Sequence, residues 1–321
     1  MDIERRLATF AEARILLVGD SIVDVYTHGS AIGLAAETPT IVMRREREER
    51  MLGGAAFVCR NLLALGAQVD FITLVGSDAE ASMVRDFADP KLNLIAIEDP
   101  SRPTTVKQRF WVDDHKLLQM DVREDGPISP AIAARVLEAV QARLADADAL
   151  LVADYRHGMI PPALAASLVA AARAAGKPIY VDSQVAQNAP NHADYQGGAI
   201  LCVNLKEARS LDPAFTPSDD PAAFARLSAS LGFETLIVKL GDQGALIFDG
   251  KQVRRVPARQ TTVIDTTGAG DAFLAALALC GLDEPAQALK VANTWASLSI
   301  AISGTRTPSL AQLEGILANP N

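Results

Sequence analysis

Apolar residues along this chain gather in two alternating patterns. Short apolar-rich runs at 15–18, 69–75, 92–98, 149–153, 178–182 and 199–203 have strand length and little polar alternation, as strands covered on both faces do. Between them the spacing predicts helices at 53–65, from Asp78, at 130–145, at 161–175, from Gly268, from Glu284 and, in short form, after Ser309. Such alternation predicts an α/β fold: a Rossmann-like, mostly parallel central sheet with helices on both faces and ligands at the carboxyl ends of its strands. Runs at 235–240, 244–248 and 252–256 are close together and predict a mixed or antiparallel edge, and 260–264 reads as a further β-like run. Two segments break the rhythm. Residues 26–50 alternate in polarity without a helical period, and 104–112 with 116–121 read as a hairpin around Asp113-Asp114. They are too far apart in sequence to form a domain of their own, so they are expected to meet as a small β-sheet lid on a single domain spanning 1–321.

Composition narrows the chemistry. The 321 residues are 49% hydrophobic and 21% charged, enough for a large core. A net charge of −9 argues against nucleic acid or an anionic membrane as the main partner. The mixed signs of 44–50 read as a solvated edge or lid strand. Cys59, Cys202 and Cys280 sit in apolar runs and suit a reducing compartment, while the four histidines are scattered and signal no zinc site. Residues 1–14 are charged and lack the apolar stretch of a signal peptide, and runs such as 163–172 fall short of the ~20 residues of a membrane span. A cytoplasmic protein is expected.

The most informative stretch is Asp265-Thr266-Thr267-Gly268-Ala269-Gly270-Asp271, followed by an Ala/Leu-rich run. Small residues stand where a loop enters a helix. There, backbone amides lack intrahelical acceptors and the dipole favours an anion. Asp271 in the first turn is either a helix-stabilising charge or a base beside a phosphate, and the local pattern fits both. Asp24, after Gly19-Asp20-Ser21, is a strand-end carboxylate suited to sugar hydroxyls. The same segment could instead present Ser21 as a hydrolase nucleophile served by Asp154 and His157. Gly53-Gly54 offers close backbone approach. Asn204 and Glu207 share a helical face and could be a capping box or could organise Mg²⁺-bound waters. Lys239-Leu240-Gly241-Asp242-Gln243-Gly244 reads first as a turn between strands, and no P-loop pattern occurs.

Taken together and in this order, these motifs resemble the ribokinase-like, or PfkB, family of carbohydrate kinases. Within it the chain looks most like the kinases of ADP-heptose synthesis, which phosphorylate D-glycero-β-D-manno-heptose 7-phosphate at O1. The similar segments include Gly19-Asp20-x-x-x-Asp24-x-Tyr26, Glu37-x-Pro39, Gly53-Gly54-Ala55-Ala56, Asp154-Tyr155-x-x-Gly158 and Ala292-Asn293. The resemblance implies an ATP-dependent sugar kinase using Mg²⁺ and, in many members, a monovalent cation such as K⁺ near Asp265 and Thr267. Asp271 would be the catalytic base, with Gly268, Ala269 and Gly270 as the anion hole. Asp24, Gly53, Gly54, Phe57 and Asp154 would face the sugar, and Lys107 and Arg109 a sugar phosphate. Asn204, Lys239, Gly241, Gly244 and Asn293 would face the nucleotide, and Glu207 the metal through water. A homodimer through the lid is implied as well. No His-x-Gly-His motif occurs and the chain ends at Asn321, so a stand-alone kinase is expected.

The departures cluster on the acceptor side. Phe57 replaces a sugar-binding Asn, and His157 and Gln184 replace two lysines of the heptose kinases. A different sugar or a nucleoside is therefore the alternative acceptor. A sugar- or nucleotide-binding protein without catalysis is the alternative outside the enzyme class.

Overall fold

The computed structural model describes residues 3–113, 115–185, 189–233, 235–302, 304 and 306–318. After a short helix α1 (Ile3–Ala8), β1 (Arg14–Gly19) enters the core. The chain then leaves the core as two long strands, β2 (Ser21–Leu34) and β3 (Ile41–Gly54), and returns in α2 (Ala55–Ala64). β4 (Gln68–Val75), α3 (Glu80–Arg85) and β5 (Leu92–Glu98) precede a second excursion, the hairpin β6 (Val106–Val112) and β7 (His115–Val122). Alternation resumes with α4 (Pro130–Leu144), β8 (Ala149–Asp154), α5 (Pro162–Ala174), β9 (Ile179–Ser183), β10 (Ile200–Asn204) and α6 (Leu205–Leu211). The last third holds α7 (Pro221–Leu231), β11 (Thr235–Lys239), β12 (Ala245–Phe248), β13 (Val253–Val256), α8 (Ala269–Cys280), α9 (Pro285–Ser299) and α10 (Leu310–Ala318).

The expected layers form. A nine-stranded sheet runs β13-β12-β11-β10-β9-β8-β1-β4-β5. It is parallel from β5 to β11, and β12 and β13 pair antiparallel at one edge. Period-two alternation divides β1 between two cores: Ile15 and Leu17 pack with α2, α8 and α9, whereas Leu16 and Val18 pack with α4, α5 and α7. From β1 the sheet grows first through β4 and β5, then in the other direction from β8. That reversal opens a crevice at the carboxyl ends of β1 and β8.

The two interrupting segments meet in a four-stranded sheet, β3-β2-β6-β7, with β2 and β6 parallel. Its first two strands span Ser21 to Gly54, longer than the expected lid segment of 26–50. Several boundaries move for physical reasons. Gly53 and Gly54 complete β3, and α2 begins only at Ala55 because Gly54 has φ of 62°. Residues 260–264 are not a strand, although the Ile264 amide donates to the Ile300 carbonyl. Two helices, α1 and α7, form in segments where the apolar spacing predicts none. Asp113 closes the β6–β7 turn with φ of 48°, while Asp114 lies outside the described residues.

A buried polar relay ties α2 to α9. Trp295 Nε1 donates to Asn61 Oδ1 at 2.8 Å, and Asn61 Nδ2 donates to the Phe57 carbonyl at 2.8 Å. Asn61→Ala leaves the indole N–H without its acceptor, which costs about 1–3 kcal/mol for a buried donor. Thermal unfolding should show a lower Tm by several degrees; an unchanged Tm would refute the role of this relay.

Candidate active site

Parallel strands in register bring their last residues to one edge. Asp154 ends β8, and Asn204 and Lys239 lie opposite each other at the ends of β10 and β11. Asp20 follows β1, and Asp182 stands one residue before the end of β9. Onto this edge opens the N-terminus of α8, capped by Gly268 in the left-handed region at φ 76°, ψ 6°. A Cβ on Gly268 would stand 2.2 Å from Phe57 Cε1, so only glycine makes this turn. Phe57 itself is fully buried. Its ring, expected to face the sugar, packs here against the α8 turn.

Asp271 lies in the first turn of α8, where its Oδ1 accepts a short hydrogen bond from the Tyr155 hydroxyl. Burial pushes its carboxyl up to about 7; Asp182 and Asp24 add to the rise, and Tyr155 and Lys239 oppose it. The Lys239 ammonium is ion-paired with Asp182. Burial alone would lower its pKa, but Asp182 and Glu207 outweigh burial and hold it above the usual range. A Cβ at Gly270 would be 3.4 Å from Lys239 Nζ, so this charge sits directly beside the helix N-terminus. Lys239, Gly241, Gly244, Ala269, Gly270 and Asn293 all line one cavity of about 510 Å³. Asn293 Nδ2 donates to the carbonyls of Val256 and Pro257 at 3.0 and 3.3 Å, so it also fixes the cavity wall.

Across the crevice, the lid presents Asp24, Tyr26, Lys107 and Arg109 on one face, since Asp24 is in register with Lys107 and Tyr26 with Arg109. Arg109 is ion-paired with Asp24 and lies 5.2 Å from the Tyr26 ring centroid. Gly53 gives Asp24 its room: a Cβ there would be 2.0 Å from Asp24 Oδ2. Burial raises the Asp24 pKa against the pull of Arg109 and Lys107. Burial likewise lowers that of Lys107.

Other expected site residues are already engaged within the protein. Asp154 is buried, and its Oδ2 accepts from Ser183 Oγ at 3.0 Å, Asn191 Nδ2 at 2.8 Å and the Tyr195 hydroxyl at 2.8 Å. It therefore braces the crevice wall where a sugar contact was expected. Asn204 and Glu207 form the capping box: the Asn204 amide donates to Glu207 Oε2 at 2.7 Å, and the Glu207 amide to Asn204 Oδ1 at 2.9 Å. Burial, with Asp182 nearby, raises the Glu207 pKa. Asp265 accepts the Thr267 amide at 2.9 Å and the Gly304 amide at 3.1 Å, shaping the loop before α8. Ser21, His157 and Asp154 form no relay among the described residues: Ser21 Oγ bonds Thr73 at 2.9 Å, and His157 Nε2 lies 3.2 Å from Arg123.

Tyr155 and Asp182 are site residues that residue types alone did not single out. Tyr155 falls inside the Asp154-Tyr155-x-x-Gly158 segment, and Asp182 directly precedes the Ser183-Gln184 departure, but neither spacing reveals a partner more than 50 residues away.

A buried carboxylate near neutrality, beside a helix N-terminus and a lysine, can take a proton from a hydroxyl while an adjacent anion is held. Comparison with known proteins points the same way. Residues 12–312 match the pfkB family carbohydrate kinase. The Bifunctional protein HldE of Caulobacter vibrioides is 35% identical over 312 residues, covering 95% of this chain and 63% of that protein. Its namesake from Bradyrhizobium diazoefficiens is 34% identical, covering 98% of this chain and 64% of that protein. This chain thus spans less than two thirds of these relatives. Among solved structures, Escherichia coli phosphofructokinase-2 in complex with potassium superposes with a TM-score of 0.76 at 19% identity, covering 95% of this chain and 98% of the other. Arabidopsis thaliana ribokinase complexed with ribose and ATP gives 0.73 at 20% identity, with the same coverages. At these identities the two structures speak to the fold.

Proposed function

The chain belongs to the pfkB family of carbohydrate kinases and is an ATP-dependent sugar kinase; from that premise we propose that it phosphorylates a sugar phosphate, D-glycero-β-D-manno-heptose 7-phosphate, at O1. The observation that carries the reading is Asp271, its carboxyl pushed up to about 7 by burial, in the first turn of the helix whose Ala269 and Gly270 line a cavity with Lys239. Asp271 takes the proton of the attacking hydroxyl. The backbone amides of Gly268, Ala269 and Gly270, with Lys239, hold the charge that develops on the transferred phosphoryl group. The cavity of about 510 Å³ suits a nucleotide, with Gly241, Gly244 and Asn293 on its walls.

Among the described residues no cluster of three or more His, Cys, Asp or Glu could cage a metal. Mg²⁺ keeps several waters and rides on nucleotide phosphates, and Glu207 would reach it through water. Bound there, Mg²⁺ would neutralise phosphate charge. K⁺ would take oxygen ligands from Asp265 and Thr267.

On the acceptor side, Asp24 would receive sugar hydroxyls near Gly53 and Gly54, and Lys107 and Arg109 would hold the distal phosphate. One observation favours a second acceptor class. His157 and Gln184 stand where the heptose kinases carry lysines, and His157 is held neutral, its pKa lowered to about 3 by burial and by Lys107 and Arg123. An unphosphorylated sugar or nucleoside is the acceptor that this loss of charge would suit.

The base must be ionised to act, so kcat should fall about tenfold per unit as pH drops below about 7. Asp271→Asn should reduce kcat by about 10²–10⁴-fold with the fold retained. Both are read by coupled ATP-consumption assays across hexoses, heptoses and their phosphates. Near-wild-type turnover in Asp271→Asn sinks the assignment of the base, and a preference for unphosphorylated acceptors sinks the heptose phosphate.

The lid also carries exposed Ile32, Leu34, Leu117, Leu118 and Met120. Such a patch suits a second copy of the chain, and we place the homodimer interface there. Leu118→Glu should shift the sedimenting species from dimer to monomer; a monomeric wild type would end this reading.

A further inference from the structure

Tyr155 has no role in the chemistry described so far, yet it is held from two directions. Its amide donates to Asp20 Oδ2 at 2.9 Å, and the following amide, of Arg156, donates to Asp154 Oδ1 at 2.9 Å. Two carboxylates at the ends of β1 and β8 therefore clamp the backbone on either side of this ring.

Immediately after it the chain turns sharply. Arg156 takes a φ of 64°, unusual for a residue with a side chain, and Gly158 a φ of 82°. The Arg156 conformation is sustained by its guanidinium, which donates to Asn191 Oδ1 at 3.1 Å and to the Ala189 carbonyl at 3.1 Å. Left-handed backbone at a non-glycine residue costs about 1–3 kcal/mol, and such strain clusters at functional sites. What this arrangement delivers is one hydroxyl onto Asp271 Oδ1. Among the described residues no donor is bonded to Oδ2.

We propose that Tyr155 is the positioning residue of Asp271: its hydroxyl fixes the carboxylate through Oδ1 and leaves Oδ2 to receive the proton of the acceptor hydroxyl. The inference rests on the kinase reading of the site but names a residue that reading does not need. A carboxylate at the head of α8 has no side-chain ligand on its own helix. Without Tyr155 it is free to rotate among its rotamers, and only some of them face the acceptor.

Tyr155 also tunes the base. The charged groups that act on Asp271 are Asp182 from β9, Asp24 from β2 and Lys239 from β11. The two carboxylates and burial raise its pKa, while Lys239 and the Tyr155 hydroxyl lower it. Removing the hydroxyl should therefore move the titration upward.

Tyr155→Phe keeps the ring and deletes the bond. Relative to wild type, kcat should fall about 10–100-fold, within the range of a misplaced general base, with KM for ATP within about twofold. The acidic limb of the kcat profile should move to higher pH by about half a unit to one unit. The double variant Tyr155→Phe/Asp271→Asn should be no slower than Asp271→Asn alone, because Tyr155 acts only through Asp271. A ¹³C NMR titration of the free enzyme reads the same link without catalysis, with the Asp271 carboxyl resonance identified by its loss in Asp271→Asn. A kcat near wild type, an unmoved limb or an additive double variant overturns the positioning role. If wild-type enzyme transfers phosphoryl to no sugar, the kinase reading fails and the catalytic role falls with it. The NMR midpoint still decides the Tyr155–Asp271 link: an upward shift in Tyr155→Phe sustains it, and an unmoved midpoint refutes it.

Discussion

The first turn of α8 takes its direction only because Gly268 bends left-handed over the Phe57 ring. Any side chain at Gly268 would collide with that ring or push it out of a fully buried site. Phe57 in turn belongs to α2, and its carbonyl is bonded by Asn61, which receives the Trp295 N–H from α9. The direction of the α8 N-terminus is thus set by packing among α2, α8 and α9. A helix terminus worth about half a positive charge is useful to chemistry only if its direction is fixed.

Around that terminus the protein concentrates carboxylates. Asp20, Asp24, Asp154, Asp182, Glu207 and Asp271 all gather near the strand ends, and burial and mutual repulsion raise the pKa values of Asp20, Asp24, Glu207 and Asp271. The protein offsets part of this with two half-buried cations: Lys239 on Asp182 and Arg109 on Asp24. What remains suits a base that works near neutrality. Division of labour follows. Asp154 and Asp20 hold backbone, while Asp271 is held ready by Tyr155.

Much of this was legible in the order of residues. The layered α/β fold follows from apolar runs at 15–18, 149–153 and 199–203 alternating with helical periods, because a strand covered on both faces has no polar alternation to hide it. The loop before α8 was legible because small residues stand where a loop enters a helix and leave its first amides open to an anion. Less legible was anything set by packing across distance. Phe57 occupies a position expected to meet the sugar but turns inward beneath Gly268, and Asp154 spends its carboxylate on Ser183, Asn191 and Tyr195. Asn204 and Glu207 illustrate a genuine degeneracy, since a capping box and a metal-facing pair require the same residues at the same spacing. Tyr155 had no local signal, as its partner lies 116 residues away.

Phosphoryl transfer between the α8 N-terminus and Asp271 is tested most directly by a structure of the protein with a non-hydrolysable ATP analogue and the acceptor sugar phosphate. The γ-phosphoryl group should lie on the amides of Gly268, Ala269 and Gly270, with the acceptor hydroxyl within hydrogen-bond reach of Asp271. A γ-phosphoryl group bound elsewhere, or an acceptor whose hydroxyls lie beyond the reach of Asp271, would contradict it.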